Sequence, residues 1–238
     1  MPRPEPDAGI VFVDADDTLW ENNVWFTRAI ERWAAHLARL GVDPDVAVAE
    51  LHAEEDRNIP RHGYGSAPFA HSLRGAFARL VAAPTTTIAA EFTGLVTELE
   101  RAIRDHPIEL LPGVVEGLEQ LAAERRVVVL TKGQRDEQEA KVRRSGLERW
   151  LHGVRVVDEK DVVTYFAAAQ AYGAAPAQCW MVGNSPRSDV NPARRAGLRT
   201  VHVPHPAPWH RDAEPFVAEG VATRVARSFA DVPRLVLG

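Results

Sequence analysis

The sequence holds one cysteine, Cys179, so no disulfide framework can form within the chain. That suits a reducing compartment, and the expectation is a cytoplasmic protein in which Cys179 is a small buried residue rather than a reactive thiol. No apolar run approaches the roughly 18–20 residues of a membrane span. Residues 1–9 are polar and proline-bearing, without the apolar core of a secretory leader. Positive charge is not in excess either: 28 Lys and Arg face 33 Asp and Glu, which argues against a nucleic-acid partner. Lys141, Arg143 and Arg144, and also Arg194 and Arg195, form short basic clusters on expected helices and read as solvated faces. The 238 residues leave room for one large domain or two modest ones with ample core.

What is present begins at Ile10-Val11-Phe12-Val13, four β-branched or aromatic residues that read as a fully buried strand. The run meets Asp14, Asp16 and Asp17 followed by Thr18. Carboxylates at the end of a buried strand must emerge at the sheet's edge or be neutralised by a cation, because an unpaired buried carboxylate is too costly. Turn and helix-cap chemistry explains many such acids, so the remainder of the chain decides between the two readings.

Residues 21–40 carry Trp25, Phe26, Ile30, Trp33, Leu37 and Leu40 at helical spacing. A second helix starts at Asp43-Pro44 and ends near Asp56; residues 58–68, rich in Pro and Gly, read as a loop. Helical patterns return at residues 69–81 and 88–104. From residue 110 onward, helices alternate with strands at residues 127–130, 154–157, 179–182 and 200–203, which argues for βα units and a parallel sheet. Thr131 and Lys160 lie 29 positions apart, as do Lys160 and Asp189, about one βα unit each. Asp14 and Thr131 are 117 positions apart, too far for one crossover or a structureless loop. The expectation is a doubly wound parallel α/β sheet, residues 1–19 and 108–238, with a helical cap domain, residues 20–107, inserted after the first strand.

The loops after successive strands then hold Asp14 and Asp16, Thr131-Lys132, Lys160, and Asn184 through Asp189. Such loops converge on one side of a parallel sheet. Carboxylates suit a hard divalent cation such as Mg²⁺, which takes a few carboxylates plus water and phosphate oxygens. Lysine suits anionic oxygens as a point charge. The parts fit chemistry on a phosphate ester, which depends mostly on positioning and charge neutralisation.

Joined in this order, Asp14-Ala15-Asp16-Asp17-Thr18, Thr131, Lys160 and Gly183-Asn184…Asp189 resemble the four motifs of the haloacid dehalogenase superfamily, in its phosphatase branch. The resemblance implies a Mg²⁺-dependent phosphatase acting on a small phosphorylated metabolite. By that likeness Asp14 is the nucleophile that forms an aspartyl phosphate, and Asp16 is the general acid and then the base. Asp16 meets the metal only through its backbone carbonyl. Asp14 and Asp189 are metal ligands, and Thr131, Lys132 and Lys160 hold phosphoryl oxygens. Asn184 stands where the family often has Asp, and either ligates through its amide oxygen or orients a metal-bound water. Asp17 stands where the family often has Gly and reads as a turn residue. Arg61-His62-Gly63-Tyr64-Gly65 is either a glycine turn or, by the same likeness, a cap loop that places Tyr64 against substrate. His202, His205 and His210 lack zinc-ligand spacing and read as a solvated loop; by the same likeness such a loop lies near the active face without ligating a metal.

Three enzyme or regulatory alternatives share the fold. A 2-haloacid dehalogenase uses the same nucleophile but needs no acid at position 16, since halide leaves unprotonated. A sugar-phosphate mutase keeps Asp16. A phospho-aspartate regulatory protein matches the nucleophile, although the inserted helical segment does not belong to that pattern. Loss of one negative charge at Asn184 also admits a catalytically impaired scaffold. The sequence does not select the substrate or the oligomeric state.

Overall fold

The structure, a computed structural model, describes residues 9–218 and 220–238. The stretch expected to lack a leader therefore lies, apart from Gly9, outside the described residues. Two compact units are present: one holds the residues up to Asn23 together with Ile108–Gly238, the other Val24–Pro107. The division falls at Asn23, four residues later than the sequence pattern places it.

The first unit is built on six parallel strands: β1 (Ile10–Val13), β2 (Arg126–Lys132), β3 (Gly153–Val157), β4 (Cys179–Gly183), β5 (Arg199–His202) and the two-residue β6 (Arg224–Val225). Their order is β3-β2-β1-β4-β5-β6. β1 lies between β2 and β4, with Val13 level with Val129 on one side and Val182 on the other. The chain moves outward from β1 through β2 to β3, then returns to β4 on the opposite flank. That reversal opens a crevice at the carboxyl end of β1, the position where open α/β sheets bind ligands. All four β1 residues are fully buried because both faces of the strand are covered. Val11 and Val13 pack into one layer with Val114, Leu118, Phe229 and Val232. Ile10 and Phe12 pack into the other with Tyr165, Ala168 and Ala193.

The second unit consists of four helices, α1 (Asn23–Ala38), α2 (Pro44–His62), α3 (Ser66–Leu80) and α4 (Thr86–Arg104). Their apolar stripes meet in a separate core of Trp33, Leu37, Leu51, Leu73, Phe77, Phe92, Val96 and Leu99, in which the Phe77 and Phe92 rings stack 3.7 Å apart. Asp43 caps α2, its carboxylate accepting from the Asp45 and Val46 amides, and Thr85 caps α4. Residues 58–62 are helix rather than loop. Pro60 lies in the last turn of α2, where it removes one i→i−4 hydrogen bond, and the buried Asn58 ties the turn down by donating to Glu54 and Ser72. Pro68 sits in the first turn of α3, where a proline is tolerated. The expected loop therefore shrinks to Gly63-Tyr64-Gly65.

The sheet is flanked by α5 (Val114–Glu124), α6 (Arg135–Ser145), α7 (Val162–Ala171), the short α8 (Asn191–Arg195) and α9 (Val232–Leu237). The segment leaving β1 and the segment leading to α5 are stitched together as an antiparallel pair. Leu111 N–H donates to Leu19 C=O at 3.0 Å, and Glu21 N–H to Glu109 C=O at 3.0 Å. After β5 the chain runs as a strap held by side chains of the preceding segment. Asn191 bonds Pro215 C=O and Val217 N–H at 2.9 Å each, and Arg194 donates to Val217 C=O at 2.5 Å. Among the described residues no helix is long and apolar enough to cross a membrane.

Leu73 is fully buried in the helical core. Leu73→Ala is expected to destabilise the protein by about 2–5 kcal/mol, read from urea unfolding followed by circular dichroism. A loss well under about 1 kcal/mol would mean that this core is not packed as described.

Candidate active site

Asp14 follows β1 directly and extends its ladder, its N–H donating to Val182 C=O at 2.9 Å. Its carboxylate thus leaves the sheet at the crevice, yet is buried. One oxygen accepts from the ammonium of Lys160, and the other lies 3.1 Å from the Thr18 hydroxyl. The same ammonium donates to Asp189 Oδ1 at 2.7 Å. Lys160 enters the site just ahead of α7, whose first turn is capped by Asp161. Asp189 sits in a wide π-type turn, Pro186–Val190, and its second oxygen accepts the Ser185 N–H at 2.9 Å. The approach demands glycine at 183, because a Cβ there would lie 2.3 Å from Asp189 Oδ2. Thr18 links the two loops: it accepts the Asn184 N–H at 3.1 Å, while its hydroxyl lies within 3.2 Å of Asn184 Oδ1. Residues 14, 18, 160, 184 and 189 therefore form one buried polar cluster.

The charge balance of this cluster is uneven. Two carboxylates raise the affinity of Lys160 for its proton above the ordinary range in spite of burial. One positive charge between two negative ones leaves a surplus. Burial first, then Asp189, pushes Asp14 up from 3.8 to about 7 against the pull of Lys160.

Asp16 stands in a different environment. Trp20 Nε1 donates to its Oδ1 at 2.8 Å, Gln138 Nε2 to its Oδ2 at 2.9 Å, and the Lys141 ammonium to both, at 3.0 and 3.1 Å. Burial works to raise the pKa of Asp16, but Lys141, Gln138 and Trp20 outweigh it, and the group is held below the usual carboxylate range. Lys141 is thus not a solvated residue of a basic helix face. Its neighbours Arg143 and Arg144 are exposed, whereas Glu137, Gln138, Lys141 and Val142 share the buried face of α6. The spacing of Gln138, Lys141 and Val142, at i, i+3 and i+4, is the one signal in the sequence that separates them from the arginines.

The remaining expected residues are placed as follows. Thr131 is buried near the end of β2, two positions beyond the partner of Val13. Lys132 closes that strand, and its ammonium bonds Glu159 Oε1 at 3.0 Å and Ser188 Oγ at 2.9 Å, joining two loops. Tyr64 belongs to the helical unit, between Gly63 and Gly65. Asp17 is a turn residue with φ +60°, and its carboxylate accepts the Asn22 and Asn23 amides. His210 is exposed, as the solvated-loop expectation has it, but His202 and His205 depart from it. His202 Nε2 donates to Asn184 C=O at 2.8 Å. His205 is buried, its Nδ1 accepts the Ala207 N–H, and its Nε2 donates to Glu21 at 3.1 Å. Asp17, Glu21 and His205 lie close enough to hold an ion, but the proton on Nε2 occupies the lone pair a metal needs. The strap adds a residue that the sequence pattern did not single out: buried Asp212, which accepts the Ser185 hydroxyl at 2.7 Å.

The surplus charge makes stability depend on pH. Asp14 binds its proton more tightly in the folded chain, so its contribution is complete below the ordinary carboxylate range and is lost as pH rises through about 7. In metal-free buffer the urea midpoint should fall between about pH 5 and about pH 8. Asp14→Asn should flatten that fall in part; Asp17, also pushed up to about 7 by burial, works in the same direction. A slope that Asp14→Asn leaves untouched would contradict this account of the cluster.

Comparisons with known proteins agree on the fold. A search of curated proteins gives no match. A family model described as haloacid dehalogenase-like hydrolase matches residues 9–197. A haloacid dehalogenase-like family hydrolase from Xanthomonas campestris is 30% identical with a TM-score of 0.82, over 96% of this chain and 90% of that one. A 2-haloacid dehalogenase from Pseudomonas syringae pv. Tomato is 22% identical with a TM-score of 0.62, over 96% and 98% of the two chains. A protein described as a predicted phosphoglycolate phosphatase from Haemophilus somnus is 15% identical with the same score, over 96% and 98%. With the sheet order, the crevice at β1 and the model match across most of its length, the chain belongs to the haloacid dehalogenase-like hydrolases and is an enzyme.

Proposed function

We propose that this hydrolase is a Mg²⁺-dependent phosphatase that cleaves a small phosphorylated metabolite through an aspartyl phosphate on Asp14. The observation that carries the reading is the buried contact of Lys160 with both Asp14 and Asp189, groups from three distant parts of the chain at one strand edge. The donor set is all oxygen: Asp14, Asp189 and the amide oxygen of Asn184 meet around Thr18 and Lys160, and by family likeness the Asp16 backbone carbonyl would join them. Buried carboxylates carrying a surplus negative charge fit a hard cation. When bound, Mg²⁺ supplies charge neutralisation for the phosphoryl oxygens and keeps Asp14 ionised.

The chain's own residues do the rest. Asp14 attacks phosphorus and forms the covalent intermediate. Lys160, Thr131 and Lys132 hold the transferring oxygens. Asp16 donates a proton to the leaving alkoxide and takes one from the water that hydrolyses the intermediate. The hold of Lys141 on Asp16 serves the second task best. A phosphate monoanion, which brings its own proton, meets the need of the first. The reading includes a cytoplasmic setting, a small-molecule substrate, and no nucleic-acid or membrane partner.

A second reading, 2-haloacid dehalogenase, is favoured by one observation. Lys141, Gln138 and Trp20 hold Asp16 as a carboxylate, and halide is a leaving group that needs no proton. Turnover separates the two. With p-nitrophenyl phosphate the enzyme should release phosphate in Mg²⁺ and stop on chelation. Asp14→Asn should be slower by on the order of 10³-fold or more. Equal rates in wild type and Asp14→Asn would remove the phosphatase reading, and halide release from 2-chloropropionate would replace it.

A further inference from the structure

Lys141 is 1% exposed, a degree of burial that lysine reaches only when paired. Its ammonium donates to both oxygens of Asp16 and, at 2.8 Å, to Asn22 Oδ1. Glu137 Oε1 lies 3.8 Å away on the preceding turn. Gln138, one turn before Lys141 on the same face of α6, donates to Asp16 Oδ2. Gln138 is itself set by the turn after β2: Gly133 has φ +135°, and a Cβ there would lie 2.9 Å from Gln138 Nε2. Trp20, fully buried, completes the set by donating to Asp16 Oδ1. Three side chains thus converge on one carboxylate two residues from the nucleophile. A strand-end acid that only capped a turn has no need of them.

We infer that Lys141, with Gln138, is a positioning residue for the second chemical step, holding Asp16 where it accepts the proton of the hydrolytic water. The inference rests on the phosphatase reading above. In that step the water oxygen bonds to phosphorus, and the bond from phosphorus to Asp14 breaks with its electron pair returning to the Asp14 carboxylate. The water's proton passes to Asp16, and inorganic phosphate leaves. Formation of the intermediate from an aryl phosphate makes no such demand, because p-nitrophenolate departs without a proton. Loss of the clamp therefore slows one half of the cycle and spares the other. General damage to the site slows both.

Stopped-flow measurement with p-nitrophenyl phosphate and Mg²⁺ separates the halves. In Lys141→Met, whose side chain keeps nearly the volume of lysine, the rate of the first burst of p-nitrophenolate should persist. Steady-state turnover should fall about 10²-fold. Intact-mass spectrometry should show phosphorylated enzyme accumulating in the variant beyond its wild-type level, and Lys141→Arg should recover part of the turnover. Gln138→Met should shift the same two readouts in the same direction by less, and carries the test if Lys141→Met does not fold. Burst and turnover falling together, or neither changing, would overturn the inference while leaving the phosphatase reading intact. A wild-type enzyme that forms no covalent intermediate and releases no phosphate would instead remove the reading on which it rests.

Discussion

A lysine ammonium held between two buried carboxylates is the constraint on which the catalytic unit depends. Neither Asp14 nor Asp189 can be buried with its charge unopposed, and Lys160 opposes both. The requirement reaches well beyond the three residues. It calls for a strand order that returns β4 to the side of β1, for a glycine at 183, and for a wide turn that brings Asp189 to the ammonium. It also leaves one negative charge unmatched.

Two aspartates separated by a single residue thus acquire opposite characters. Asp14 shares its lysine with a competitor, and burial lifts its proton affinity. Asp16 has a lysine of its own plus two neutral donors, and its proton affinity drops. Paired carboxylates whose environments drive them apart are the usual arrangement for dividing chemical tasks within one site. Here the contrast comes from two lysines, Lys141 on α6 and Lys160 in the loop just ahead of α7, each meeting one aspartate of the same short turn.

The parts of this arrangement visible in the sequence are those that lie at strand ends. Asp14 and Thr131 close runs of buried β-formers, and Asp189 lies in the turn after another such run, six residues past β4. Lys160 is visible through its even spacing between the last two. Lys141 was hidden because α6 is charged nearly all round. Its partner lies 125 positions away, and a one-dimensional pattern assigns such a lysine to solvent. The loop expected at residues 58–68 failed for a related reason: Pro60 is a breaker by local rule, but the buried Asn58 anchors the turn around it. β6 and α9 are too short for periodicity to register, and the hold of the strap on Ser185, Asn191 and Arg194 is made by side chains whose targets are mostly backbone carbonyls.

The antiparallel stitch between residues 19–21 and 109–111 has a consequence for how such a protein can change. To the sheet, everything between those residues is one hairpin whose two stems are already hydrogen-bonded. The entropy of closing a hairpin grows only with the logarithm of its length. A larger bundle, a smaller one or a plain turn could therefore occupy that interval while every strand keeps its register. The buried cluster and the helical unit are written in separable stretches of the chain, and descent with modification can rewrite the second without disturbing the first.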